Sequence, residues 1–225
     1  MPSRICGKDS RKEYFMNIYK NLIFDVGEVL LEYRWKDMLI DYGLSPEEAV
    51  VAGNTIFENN NWKELDIGTL STEEIIELYS REFPQYKDLV RWFITHGELM
   101  HVGRPQVWER VHKLKEHGYH IYLLSNYSRD LFEKHTANAS FLKDLDGMVI
   151  SYQIHEVKPH PAIYQHLLNK YSLNPKDCLF FDDRADNTAA ARDLGICAYT
   201  ISSQEYLLGL LDMLLGNTGC PTLTP

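Results

Sequence analysis

The sequence predicts an α/β fold: a doubly wound parallel sheet with an all-helical segment inserted after its first strand. Three observations predict it. Short apolar runs rich in β-type residues recur at 21–31, 119–125, 147–151, 178–182 and 197–201. Helical patterns separate the last four runs, an alternation that requires parallel strands with helices on both faces. The stretch 33–103 carries helix signals and no clear strand.

Each element has a local cause. The run at 21–31 (NLIFDVGEVLL) reads as a buried strand that ends in a turn at Asp25 and Gly27. In the insert, Ser45-Pro46-Glu47-Glu48 supplies a serine N-cap, proline at the first helical position and glutamate two residues later. Ser71-Thr72-Glu73-Glu74 repeats the capping box ahead of IIELYSREF, and 88–100 carries apolar side chains at helical spacing. Helix 105–117 aligns Val107, Val111 and Leu114 and stops at Gly118. Strand 119–125, a short helix near 128–135, strand 147–151 and helix 161–171 follow. Strand 178–182, helix 186–194, strand 197–201 and a helix at 204–215 complete the series. This divides the chain into a core of 16–32 and 104–216 and an insert of 33–103. Residues 1–15 read as a disordered leader or an upstream start, and 217–225 as a flexible tail.

Composition narrows the function. The 225 residues suit one or two domains. With 23 Lys and Arg against 32 Asp and Glu, the formal charge is −9. That argues against nucleic acid and anionic membranes as partners, which need a basic surface. It leaves a phosphorylated substrate open, because a bound cation reverses the local sign. Cys6, Cys178, Cys197 and Cys220 form no CxxC pair, so a reducing cytoplasm is the simplest compartment and structural zinc is disfavoured. No apolar run reaches the roughly 18 residues that a spanning helix needs.

Ligands of such sheets bind outside the carboxyl ends of the strands. The first strand ends in Asp25-Val26-Gly27 and the second in Ser125-Asn126. The third leads into Lys158-Pro159 and the fourth ends in Asp182-Asp183. Singly, each has a plainer reading as a turn, a solvated loop or a helix cap. Trp35, Trp62 and Trp92 read as insert core rather than substrate platform, with one of them open to the cleft as the alternative, and His155 and His160 read as surface residues without a role.

Taken together, FDVGEVL, LLSN, VKPHPAIY and FFDDRADN resemble, in order, the four motifs of the haloacid dehalogenase-like hydrolase superfamily. The resemblance covers about 18–202 and implies a Rossmann-like core, with 33–103 as a C1-type cap. It implies Asp25 as a nucleophile that forms an aspartyl-phosphate. It implies a magnesium ion (Mg²⁺) held by Asp25, the Gly27 carbonyl, Asp183 and Asp182, the last as a ligand or a water-holding group. Ser125 and the Asn126 backbone amide would donate to phosphoryl oxygens. Lys158 would supply charge to the phosphoryl group and to Asp25, and Asn187 would hold the Lys158 ammonium.

One position departs from the pattern. Phosphatases of the family place a second aspartate, the general acid, where this chain has Gly27. Three readings follow. The chain is a phosphatase of a subgroup with a DxG first motif, acting on a small phosphorylated metabolite such as a sugar phosphate, glucose 1-phosphate being one example. It is a metal-independent 2-haloacid dehalogenase, against which Asp182-Asp183 argues. Or it is a non-catalytic binding or regulatory module, against which the Asp25, Lys158 and Asp183 cluster argues. Specificity is expected from the stretch 57–66 of the cap, with hinges near 31–34 and 102–105.

Overall fold

A computed structural model describes residues 19–217 of the chain. The expected leader at 1–15 and all but the first residue of the expected tail lie outside the described residues. The core is a five-stranded parallel sheet in the order β5-β4-β1-β6-β7. The strands are β1 (Asn21–Phe24), β4 (His120–Ser125), β5 (Gly147–Ile150), β6 (Cys178–Asp182) and β7 (Cys197–Thr200).

Burial on both faces explains why these runs are continuously apolar. Leu22 and Phe24 of β1 point into one cluster with Ile121, Leu123 and Phe181. Ile23, between them, points into a second cluster with Tyr122, Leu124 and Phe180. The period of two thus loads both sides of the sheet. Helices α6 (Pro105–Glu116) and α11 (Gln204–Leu214) supply Val107, Val111, Leu207 and Leu211 to the first cluster. Helices α9 (Pro161–Lys170) and α10 (Ala185–Asp193) supply Ile163, Leu167 and Ala191 to the second. From β1 the chain builds outward to β4 and β5, then crosses back to β6 and β7 on the other side. The switch point therefore lies at β1, between β4 and β6, and a crevice opens at their carboxyl ends.

Five helices lie between the first and second core strands: α1 (Trp35–Asp41), α2 (Pro46–Phe57), α3 (Asn60–Ile67), α4 (Thr72–Glu82) and α5 (Lys87–Thr95). Both capping boxes are formed. The Ser45 amide donates to Glu48 at 2.8 Å and the Ser71 amide to Glu74 at 2.8 Å. Helix α5 ends earlier than its apolar pattern, at Thr95, and a 3-10 turn over Gly97–Leu99 follows it.

A two-stranded antiparallel ribbon joins the insert to the core. Strand β2 (Leu31–Tyr33) pairs with β3 (His101–Gly103), so the two segments expected as hinges are hydrogen-bonded to each other. Strands of three residues are too short to show a period, which is why the first apolar run reads as one element.

Candidate active site

The crevice gathers residues from four strand ends. Asp25 directly follows β1, its amide still donating to the Phe181 carbonyl at 2.9 Å. One carboxylate oxygen, Oδ1, accepts from Ser125 Oγ at 2.5 Å and from the Val26 amide at 2.7 Å. The other, Oδ2, faces Lys158 Nζ at 2.9 Å. That ammonium also reaches Asp182 Oδ2 at 2.6 Å. Lys158 therefore bridges the ends of β1 and β6, and Lys158, Asp182 and Ser125 are all buried.

The electrostatics are those of several like charges sharing one cation. Burial pushes the Asp25 carboxyl up to about 7; Lys158 pulls it down, while Asp182 and Asp183 push it further up. Asp183 rises to about 6 through burial and the neighbouring Asp182. Burial disfavours the Lys158 charge, but Asp182 and Asp25 outweigh it and hold the ammonium protonated.

Asp25, Asp182 and Asp183 each offer an oxygen, and these lie within 4.8 Å of one another. Hard carboxylate oxygens at that spacing fit Mg²⁺, and no thiolate or imidazole belongs to the set. Asp182 is the most committed of the three. Its Oδ1 accepts from the Arg184 amide at 2.8 Å and from Asn187 Nδ2 at 3.0 Å.

Two of the expected residues have side-chain partners that their motifs do not announce. Asn187 holds Asp182, and through it Lys158, rather than the ammonium itself. The Asn126 side chain, which sequence reasoning passed over in favour of its backbone amide, clamps the Lys158 backbone in both directions. Its Nδ2 donates to the Lys158 carbonyl at 3.0 Å, and its Oδ1 accepts from the Lys158 amide at 2.8 Å.

Above this floor opens a cavity of about 810 Å³, lined by Asp25, Ser125 and Lys158 on the core side and by α2 and α3 on the insert side. Trp35 and Trp62 pack against the core, as expected, and also line this cavity. Phe57, Asn59, Asn60 and Asp66, from the stretch expected to read the substrate, line it too. Trp92 instead packs on Tyr42, with ring centroids 5.0 Å apart.

Gly27 stands at the cavity wall, and the space a side chain would need there is filled. A Cβ on Gly27 would lie 2.5 Å from Tyr33 Oη and 2.6 Å from its ring. Tyr33 in turn donates to Tyr127 Oη at 2.5 Å, and Tyr127 contacts His135 Nδ1 at 3.1 Å. Neither residue is flagged by any motif; an aromatic six residues after a glycine has no local signature.

A model of haloacid dehalogenase-like hydrolases matches residues 19–195. The chain belongs to this family. Among haloacid dehalogenase-like hydrolases it is 28% identical to Phosphatase MT3486 of Mycobacterium tuberculosis over 174 residues, 76% of this chain and 71% of that protein. It is 25% identical to a D-ribitol-5-phosphate phosphatase of Bacteroides thetaiotaomicron over 189 residues, 78% of this chain and 88% of that one. A solved family member from Bacteroides thetaiotaomicron, in complex with magnesium and inorganic phosphate, superposes with a TM-score of 0.66 at 22% identity. It covers 83% of this chain and 96% of its own. An L-2-haloacid dehalogenase from Xanthobacter autotrophicus superposes with a TM-score of 0.62 at 16% identity, covering 91% and 85%. At these identities the superpositions speak for the fold. The chain is a phosphatase-like hydrolase of this family. No helix among the described residues is long and apolar enough to cross a membrane.

Proposed function

We propose that this hydrolase is a Mg²⁺-dependent phosphatase of a small phosphorylated metabolite. It would work through an aspartyl-phosphate on Asp25 under a cap formed by residues 33–103. One observation carries the reading: three carboxylate oxygens converge within 4.8 Å around a buried lysine. Expulsion of a halide from a neutral carbon requires no such acidic set, whereas an anionic phosphoryl group approaching Asp25 does. Both relatives reported above are named as phosphatases.

In this reading Asp25, Asp183 and the Gly27 carbonyl hold the ion, with Asp182 beside them. Bound there, Mg²⁺ would neutralise charge between Asp25 and the phosphoryl oxygens. The Asp25 carboxylate attacks phosphorus, and the bond to the leaving oxygen breaks on the opposite side. Ser125 Oγ and the Asn126 amide donate to phosphoryl oxygens. Lys158, held in place by Asp182 and Asn126, adds its charge as the phosphoryl group flattens. Water then hydrolyses the acyl-phosphate and restores Asp25.

The cavity lining supports a hydroxylated substrate. Amides of Asn54 and Asn60 offer both donors and acceptors beside Trp35 and Trp62, a mixture suited to a sugar or polyol chain. A sugar phosphatase lacking an aspartate at residue 27 is the subgroup this describes, and the unpaired thiols of Cys178 and Cys197 are compatible with the cytoplasm.

Hydrolysis of p-nitrophenyl phosphate with Mg²⁺, its loss in EDTA, and its loss in Asp25→Asn are the expected results. Halide release from a 2-haloacid in EDTA would instead establish the dehalogenase. A screen of sugar and polyol phosphates then names the substrate.

A further inference from the structure

In-line displacement by Asp25 puts the leaving oxygen on the side of the phosphoryl group facing the insert. That oxygen becomes an alcohol only if a proton reaches it, and Gly27 has no side chain to deliver one. The groups nearest Gly27 are committed elsewhere. Glu28 Oε1 accepts from the Tyr33 amide at 2.9 Å, and its Oε2 faces Arg104 Nη2 at 3.2 Å. Tyr33 directs its hydroxyl hydrogen to Tyr127. Tyr127 is joined to His135, whose other nitrogen is 2.7 Å from the Gly97 carbonyl. Burial holds Tyr33 well above the ordinary phenol value and pushes His135 down to about 4.

We propose that Asp66, at the end of insert helix α3, is the general acid and then the general base of this site. The assignment rests on the phosphatase reading above. Asp66 lines the same cavity as Asp25, Ser125 and Lys158. Among the described residues it has no ion-pair partner, so its carboxyl is not tied up by a surface cation. Its position is built by the core rather than left to the insert. Ser151 Oγ donates to the Asp66 carbonyl at 2.5 Å and accepts from the Tyr127 amide at 2.9 Å. Asp66 is thus one hydrogen-bonded residue away from the strand end that carries Ser125 and Asn126. The next two residues dock as well. His155 Nδ1 is 2.9 Å from the Ile67 carbonyl, and a Cβ on Gly68 would lie 2.7 Å from Tyr152 Cβ.

The environment matches the task. Burial first, and then the nearby Asp25, raise the Asp66 carboxyl to about 7, against the opposing pull of Lys158 and the Ser128 amide. Both protonation states are then populated near neutrality, as a group that first donates and then accepts requires. In the first half-reaction the P–O bond to the leaving group breaks and Asp66 gives its proton to that oxygen, releasing the alcohol. In the second, the Asp66 carboxylate takes a proton from the water that attacks phosphorus. The P–O bond to Asp25 breaks, phosphate leaves, and Asp66 is again protonated.

The test compares Asp66→Asn with wild type on 2,4-dinitrophenyl phosphate, whose leaving group needs no proton, and phenyl phosphate, whose leaving group does. The expected result is a fall in kcat/KM of roughly 10²–10⁴-fold for phenyl phosphate and a small change for the dinitrophenyl ester. A stoichiometric burst of dinitrophenolate should appear in the variant, because unactivated water leaves Asp25 phosphorylated. Thermal unfolding monitors the fold of the variant. Equal loss on both esters, or no loss on either, overturns the role of Asp66 while the phosphatase reading stands. Wild type inert toward both esters with Mg²⁺, or Asp25→Asn active on them, overturns the phosphatase reading and this assignment with it.

Discussion

Tyr33 and Gly27 are complementary: the phenol stands 2.5 Å from the point that a Cβ on residue 27 would occupy. Restoring an aspartate at that position is therefore no simple gain. Overpacking of a filled site costs about 1–3 kcal/mol. Gly27→Asp alone is expected to lower both Tm and kcat/KM. Combined with Tyr33→Ala, it should be more stable and more active than the sum of the two single variants, with coupling of about 1 kcal/mol or more. Additive losses in a double-mutant cycle would show that the two positions do not compete for one space.

Ion binding should also be visible without any substrate. Three carboxylates around one lysine leave the site with excess negative charge that a divalent cation relieves. A ligand at a hundred times its Kd adds about 2.7 kcal/mol of stability. For a chain of this length that is a rise in Tm of roughly 5–10 °C. Thermal melts in Mg²⁺ and in EDTA check this, and Asp183→Asn should abolish most of the difference.

The raised Asp66 carboxyl has a signature in stability. It titrates near 3.8 when unfolded and near 7 in the fold. Between those values the folded chain keeps a proton that the unfolded chain has released, so this group lowers stability as pH rises through the window. Asp66→Asn removes that penalty. In EDTA the variant should therefore gain in Tm relative to wild type as pH climbs from about 4 to about 8. A gap that stays constant with pH would show that Asp66 titrates in the ordinary carboxylate range in the fold.

Asn126 is expected to act by positioning Lys158. Its amide makes two hydrogen bonds to the Lys158 backbone, and Asn126→Ala removes both. Losses at such supporting positions run about 10–100-fold in activity. The fall should appear in kcat more than in KM; a variant with unchanged kcat would show that the two bonds do not position the ammonium.

The sheet and the meeting of the strand ends were legible because their causes are local. Each strand is an apolar run closed by a polar residue, and parallel alternation sends the closing residues to one edge. The insert's second and fourth helices, α2 and α4, were legible for a similar reason, since Ser45 and Ser71 with their glutamates are complete capping boxes. What escaped depends on contacts between residues far apart in the chain. Tyr33 meets Tyr127, Asp66 meets Ser151, and Asn126 meets Lys158 across separations of 94, 85 and 32 residues. The β2–β3 ribbon escaped because its three-residue strands are defined by their pairing and by no pattern of their own.

That ribbon has an architectural consequence. Tyr33 and His101 lie directly opposite each other, so the chain leaves the core and re-enters it at neighbouring points. A short turn joining those two residues would close the backbone without disturbing the register of any core strand. The 67 residues between them are, in topological terms, an appendix on a hairpin, and Asp66 travels on it. Swapping that segment for another of similar helices would therefore exchange substrate-reading and proton-delivering groups in one event, leaving Asp25, Lys158 and the acidic pair untouched.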